Sequence, residues 1–318
     1  MNSSYVVGID VGGQTSKIGV VDARGTVLAQ TVIRTDTYDQ VEPYIAELAE
    51  AVKKLIAESG TEGKVRGIGV GAPNGNYYTG TIENAPNLLW GRQRVEFSKL
   101  LSEAMGGLPV ALTNDANAAA VGEMTYGAAR GMKNFIMITL GTGVGSGIVI
   151  NGEVVYGHDG FAGELGHTAA VHNNGRTCGC GKTGCLETYA SATGVARTAR
   201  EWLELTDEPS LLRNLDTIAS KDVYEAAKDG DKLALKIFEF TGKILGRSFA
   251  DFIAFSSPEA IVLFGGLARA KEFLLAPMEE SMNANVLPLW RNKVKIVFSQ
   301  LKESDAAILG ASALAWEL

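Results

Sequence analysis

The sequence predicts a two-domain α/β fold, and three observations carry that prediction. Short apolar runs of strand length alternate with longer amphipathic runs along the chain. One arrangement, strand, glycine turn, strand, turn, strand, occurs in residues 5–28 and again from 134 to 156, so the chain reads as internally duplicated. The 318 residues, 46% of them hydrophobic, can bury more core than one average domain needs. Such a duplication predicts two similar domains facing a central cleft, each offering one glycine turn to it.

Bulk charge narrows the partners. A formal net charge of −7 and a pI near 5.2 give no electrostatic reason to bind nucleic acid or an anionic membrane. The start, MNSSYVVGID, lacks a basic segment followed by a cleavable apolar one, and later apolar runs are broken well before 18 residues. A cytoplasmic protein is expected. The 38 glycines fall in short clusters beside strands, which marks tight turns and close backbone approach rather than a linker.

The first strand is expected over Tyr5–Val11, with Asp10 near its end, followed by Gly12-Gly13-Gln14-Thr15-Ser16-Lys17 and a second strand from Ile18 to Asp22. A third runs from Thr26 to Arg34. Backbone N–H groups at such a turn, with the hydroxyls of Thr15 and Ser16, can wrap a phosphate, and Asp10 can face its metal ion; an ordinary hairpin is the other reading. The turn is neither a Walker loop nor a dinucleotide fingerprint. Residues 39–59 have apolar side chains at three- and four-residue spacing (Val41, Ile45, Leu48, Val52, Leu55), the pattern of a packing helix. Val65–Val70 is the next strand, and two polar loops follow it, 71–75 with Asn74 and 83–88 with Asn87. Ligands of open α/β sheets bind beyond such strand ends.

A β-type run, Leu108–Leu112, delivers Asn114 and Asp115 to an alanine-rich helix. Asp115 reads either as the helix cap or as an ionised carboxylate beside a positive helix end, able to take a proton from a hydroxyl. The repeated unit comes next: a strand over 134–140, the turn Gly141-Thr142-Gly143-Val144-Gly145-Ser146-Gly147, a strand from Ile148 to Ile150 and another over 153–156. His167 with Cys178, Cys180 and Cys185 then supplies one nitrogen and three thiols, the donor set of a structural zinc site; three free thiols or a redox cluster are the alternatives. A metal clip over 167–185 would hold Glu164 and Glu187 on its flanks as fixed carboxylates for a polyol. Residues 187–255 have helical period. A buried strand, Ala260–Phe264, leads into Gly265-Gly266, either a nucleoside-facing turn or a plain strand-to-helix turn, and Leu267–Phe273 begins a helix. The last strand is expected over 294–298, and a last helix over 304–316 with Ser304 as its cap. Trp202, Trp290 and Trp316 read as core or interface residues.

Together these motifs resemble the ROK family (repressor, open reading frame, kinase) within the actin and hexokinase-like, ribonuclease H-like ATPase superfold. The residues that carry the resemblance are Asp10–Lys17, Glu83–Leu88, Asn114–Glu123, residues 140–167, the cysteine cluster with Glu187, and Gly265-Gly266. Glu83–Leu88 and the set Glu164, His167 and Glu187 look most like bacterial glucokinases. The resemblance implies a small domain of residues 1–113 plus 303–318 and a large domain of 114–302 with its zinc loop at 167–185. It implies ATP-dependent phosphorylation of glucose at the 6-hydroxyl, with Asp115 as general base. Asn74, Asn87, Asn114, Glu164, His167 and Glu187 would bind sugar hydroxyls, His167 also ligating Zn2+. Gly12, Gly13, Gln14, Thr15, Lys17, Thr142 and Gly143 would hold the phosphates, Asp10 would orient Mg2+ through water, and Gly265 and Gly266 would border adenosine. Cleft closure would exclude water, and a homodimer is expected.

Two residues depart from the family pattern. Gln14 stands where a Thr is usual, and Asn74 where a Gly is usual, which leaves open a shift in sugar or donor, polyphosphate included. Kinases of other hexoses or N-acetylhexosamines (N-acetylglucosamine, N-acetylmannosamine, fructose) share the pattern. So do sugar-responsive repressors, but these carry a helix-turn-helix ahead of the first strand, where this sequence has four residues.

Overall fold

The computed structural model describes residues 4–318, with Glu303 in its backbone only. The chain forms two compact units. The first comprises residues 4–132, 153–163 and 300–318, and the second comprises 133–152 and 164–299. These divisions differ from the expected ones at 113/114 and 302/303. Helix α3 (Asp115–Tyr126) stays with the first unit because it packs closely on α9 (Glu303–Leu314), where a Cβ on Gly122 would come within 2.7 Å of Gly310 Cα.

In the first unit the strands are β1 (Tyr5–Val11), β2 (Thr15–Asp22), β3 (Val27–Arg34), β4 (Val65–Gly71) and β7 (Val110–Thr113), in the order β3-β2-β1-β4-β7. The β1–β2 and β2–β3 pairs are antiparallel, and the β1–β4 and β4–β7 pairs are parallel. A small hairpin, β5 (Gly75–Asn76) and β6 (Thr81–Ile82), completes its sheets, and the short β10 (Glu153–Val154) falls among the residues of this unit without joining them. Alternation along β1 decides what lies on each face. Val7, Ile9 and Val11 point to α1 (Val41–Glu58) and α2 (Phe97–Ala104), where Tyr44, Leu48, Val52 and Leu101 are buried. The opposite face carries Gly8, Gly19 and Gly69, side by side in register across three strands. This row makes a backbone groove for α9. A Cβ on Gly8 would meet Ser312 N at 2.8 Å, one on Gly19 would meet Ile308 at 2.5 Å, and one on Gly69 would strike Ala311 O.

The second unit contains β8 (Phe135–Leu140), β9 (Val144–Ile150), β11 (Ala260–Phe264) and β12 (Lys295–Phe298). Their order β9-β8-β11-β12, one antiparallel pair and then two parallel pairs, matches β2-β1-β4-β7. The duplication is therefore one of topology as well as of sequence pattern. Helices α4 (Glu187–Ala190), α5 (Ala192–Leu205), α6 (Ser220–Lys228), α7 (Lys232–Ser256) and α8 (Lys271–Asn285) surround a core of Ile136, Ile138, Phe238, Leu245, Phe249, Ile261 and Leu263. Trp202 and Trp290 pack half-buried on this core, and Trp316 on the core under α9.

Several boundaries differ from the sequence expectation. Strand β2 starts at Thr15, because Gly12 N–H donates to Thr15 O at 3.0 Å and closes the turn within three residues. Strand β9 starts at Val144, with Gly145 and Gly147 paired opposite Thr139 and Met137. Ser304 does not cap the last helix: the N-cap position is Lys302, and the Ser304 hydroxyl donates to Asp305 instead. Gly266–Ala270 is a 3-10 turn before α8 begins at Lys271. Among the described residues no helix is long and apolar enough to cross a membrane.

Candidate active site

The first unit places the expected acid residues at neighbouring strand ends. Asp10 lies opposite Lys17 on β2 and Gly71 on β4. Burial, the carboxylate of Asp115 and, in opposition, Lys17 set its titration, with a net rise from the ordinary 3.8 to about 6. Strand β7 leads through Asn114 into α3. Asn114 is the cap, its Oδ1 accepting the Asn117 N–H at 2.7 Å, so Asp115 is not spent on that task. Asp115 is the first residue of the helix, and its Oδ1 accepts the adjacent Ala116 N–H at 2.8 Å. It is open to solvent, yet the protein around it desolvates the carboxylate and raises its pKa against the pull of that N–H. Gly71 lies close under α3, since a Cβ there would come within 3.2 Å of Ala118 Cβ.

The first glycine turn presents donors outward. Gly12 N–H closes the turn and the Gln14 carbonyl accepts Thr35 N–H at 2.9 Å, while the N–H groups of Gly13 and Gln14 find no partner among the described residues. Ser16 is a correction to the sequence reading. Alternation turns it inward, fully buried, with its hydroxyl 2.7 Å from both Thr35 Oγ1 and Tyr44 OH, so it offers nothing to a phosphate. Thr15 and Lys17 share the other face. The Asn87 loop adjoins the turn, for a Cβ on Gly13 would come within 2.8 Å of Asn87 O. Asn74 has φ 51°, a conformation that Asn tolerates better than most residues, so it replaces the usual Gly at low strain. Its Nδ2 donates to Glu83 O and Asn84 O, both at 3.0 Å, which stitches the two loops together; Oδ1 has no partner among the described residues.

In the second unit the turn 141–143 follows the same logic. Its carbonyls are drawn into the protein, and the N–H groups of Thr142 and Gly143 have no partner among the described residues. Glu164 precedes a short 3-10 turn, Leu165–His167, which is fixed by Leu165 N–H on Ser146 Oγ at 3.0 Å. Glu187 opens α4 and accepts Val144 N–H at 3.0 Å through Oε2. Gly265 has φ 108°, and a Cβ there would meet Leu140 O at 2.5 Å, so glycine is required; around Gly266 the space is open.

The cysteine cluster fits a metal. The donor atoms of His167, Cys178, Cys180 and Cys185 all lie within 4.8 Å of one another. Cys178 Sγ is 3.7 Å from His167 Nδ1, and Cys180 Sγ is 3.7 Å from Cys185 Sγ. A tetrahedron with zinc–sulfur bonds of about 2.3 Å has edges of about 3.7 Å, whereas a disulfide needs about 2.05 Å. With Nδ1 turned to the cluster, Nε2 of His167 is left for a second partner.

One residue of this region has no sequence signature. Arg176, buried in the cysteine loop, reaches Glu201 at 2.5 and 3.0 Å, Thr198 Oγ1 at 2.9 Å and Thr188 O at 2.8 Å, and stacks its guanidinium 4.5 Å from the Tyr189 ring. It clamps the loop to α4 and α5, a long-range role that no local pattern announces.

The model of the ROK family matches residues 6–317. The chain belongs to the ROK family. This ROK chain is 38% identical to the glucokinase of Halalkalibacterium halodurans over 315 residues, 98% of this chain and 94% of that one. Among solved structures it resembles a ROK family glucokinase from Streptomyces griseus in complex with glucose and AMPPNP, with a TM-score of 0.79 and 32% identity over 99% and 100% of the two chains. A ROK hexokinase from Thermus thermophilus has a TM-score of 0.81 at 30% identity, over 98% of each chain.

Proposed function

We propose that this ROK protein is a glucokinase that transfers the γ-phosphoryl group of ATP to the 6-hydroxyl of glucose, with Asp115 accepting the hydroxyl proton. The observation that carries the reading is the freedom of Asp115. Asn114 takes over the capping, so the carboxylate at the positive end of α3 is held by adjacent backbone N–H groups and remains open to a substrate. Its raised pKa brings it closer to the pH at which a general base works best.

The other residues divide by chemistry. Gly12, Gly13, Gln14 and Thr15 on one turn, and Thr142 and Gly143 on the other, present N–H groups and a hydroxyl to phosphate oxygens, with Lys17 adding positive charge. Gln14 keeps its backbone donor, so the missing Thr hydroxyl removes one contact and leaves the turn itself intact. Asn74 Oδ1, Asn87, Asn114, Glu164, His167 Nε2 and Glu187 bind sugar hydroxyls. Gly265 and Gly266 border the adenosine, and Zn2+ on His167 and the three cysteines serves as a structural clip. Asp10 would hold Mg2+ through water, and the cation supplies charge neutralisation of the transferred phosphoryl group. The residues fit that role, since a carboxyl pushed up to about 6 beside a second carboxylate is relieved by a nearby cation. A cytoplasmic homodimer accords with this reading.

The test is ADP release by purified protein with ATP and Mg2+, comparing glucose, N-acetylglucosamine, N-acetylmannosamine, mannose and fructose. Preference for glucose is expected. Preference for another sugar would keep the mechanism and move the substrate, and silence with all five would overturn the reading.

A further inference from the structure

We infer that the junction between α4 and α5 positions the second phosphate turn, through Thr193 and Glu187; the inference rests on the kinase reading of that turn. Three hydrogen bonds tie residues 141–144 to the junction. Ala192 N–H donates to Gly141 O at 2.8 Å, Thr193 Oγ1 donates to Thr142 O at 2.9 Å, and Val144 N–H donates to Glu187 Oε2 at 3.0 Å. Gly141 N–H donates to Gly143 O at 3.0 Å, so all three turn carbonyls are taken up on the protein side. That arrangement leaves the N–H groups of Thr142 and Gly143 as the face shown to a ligand.

Ser191, the buried cap of α5, joins the two bracing residues. Its Oγ lies 2.7 Å from Glu187 O and 2.9 Å from Thr193 Oγ1, and it accepts Gly194 N–H at 3.0 Å. A Cβ on Gly143 would come within 3.2 Å of the Glu187 carboxyl carbon, so a side chain there would push that carboxylate from its place on the turn. A turn with two glycines in three residues samples many conformations when unsupported, and ordering it would subtract from nucleotide affinity. The brace removes that cost beforehand. It also gives Glu187 two tasks, because the carboxylate assigned to the sugar fixes a backbone N–H of the phosphate turn as well. Thr193 is therefore a positioning residue for nucleotide, and Glu187 links nucleotide to sugar.

Thr193→Val removes the hydroxyl at nearly constant volume on an exposed site, and Thr193→Ser keeps it. Affinity for a non-hydrolysable ATP analogue with Mg2+, in the absence of sugar, is measured by calorimetry alongside KM for ATP and for glucose. Thr193→Val should weaken the analogue and raise KM for ATP by about three- to tenfold, the worth of one neutral hydrogen bond, with KM for glucose unchanged. Thr193→Ser should restore wild-type values, and Glu187→Gln should raise both KM values. Wild-type analogue affinity in Thr193→Val, or equal rises in both of its KM values, would overturn the inference. A wild-type protein that binds no analogue would instead overturn the kinase reading and the inference with it.

Discussion

Replacing Asp10 by Asn should stabilise the first unit above neutral pH while removing activity. The magnitude follows from the titration of that carboxyl, about 6 in the folded chain against an ordinary 3.8. A gap of about two pH units is worth ~3 kcal/mol at 1.36 kcal/mol each, and this is a ceiling, since the variant also gives up the attraction to Lys17. The folded chain holds this proton more tightly than the unfolded chain. Its contribution to stability is thus complete below pH 3.8 and is lost as pH rises through 6. Asn carries no such penalty, so a gain of about 1–3 kcal/mol is expected at pH 8 and none near pH 3.8. Urea unfolding read by tryptophan fluorescence measures it, in a background with Trp202→Phe and Trp290→Phe so that Trp90 and Trp316 report the first unit. A stability difference that stays constant from pH 4 to pH 8 would refute the account of Asp10. ADP release in the same samples should show the activity lost as the fold gains.

Four further outcomes are expected. Asp115→Asn should keep sugar affinity and lower kcat by about 10²–10⁴-fold, and near-normal turnover would reduce Asp115 to a structural residue. In the wild type, kcat/KM should fall with acid on a limb lying above the ordinary carboxylate range, because burial raises Asp115 and only its ionised form accepts a proton. Cys180→Ser should release zinc, as elemental analysis would show, and raise KM for glucose about 10- to 100-fold; a zinc-free, fully active wild type would remove the clip. Gly69→Ala should destabilise the first unit by about 3 kcal/mol, since the new methyl group strikes the Ala311 carbonyl of α9, and an unchanged urea midpoint would contradict that packing.

Much of this chain was legible because local patterns and global fold agree. Helix α1 and strands β1, β4 and β11 followed from spacing of apolar residues, and the cysteine cluster from donor type and closeness in sequence. Glycine turns were legible as turns but not in extent: both strands that follow them, β2 and β9, begin earlier than expected, because glycine and small polar residues can pair in a ladder as readily as they can bend. Deciding whether Asp115 is the cap needed coordinates, since Asn114 beside it serves equally well and takes the position. Ser16 was misplaced for a related reason, its inward direction being set by where β2 starts. Arg176 and Thr193 act through partners 12–25 and 51 residues away, and no single-sequence pattern encodes such pairs.

The groove of Gly8, Gly19 and Gly69 also governs the order in which the chain can be completed. Its occupant, α9, is separated from β1 by about 300 residues, and the whole second unit is inserted between them. A pairing so distant in sequence is slow to close, while the contacts of β8, β9 and α4–α8 lie within a much shorter span. During synthesis the inserted unit can therefore finish first, and the surrounding one stays open on its glycine face until residues 303–314 arrive. Pulsed hydrogen exchange during refolding should show amides of β8 and β11 protected before those of β1, so that the inserted unit is complete before the unit that encloses it in sequence.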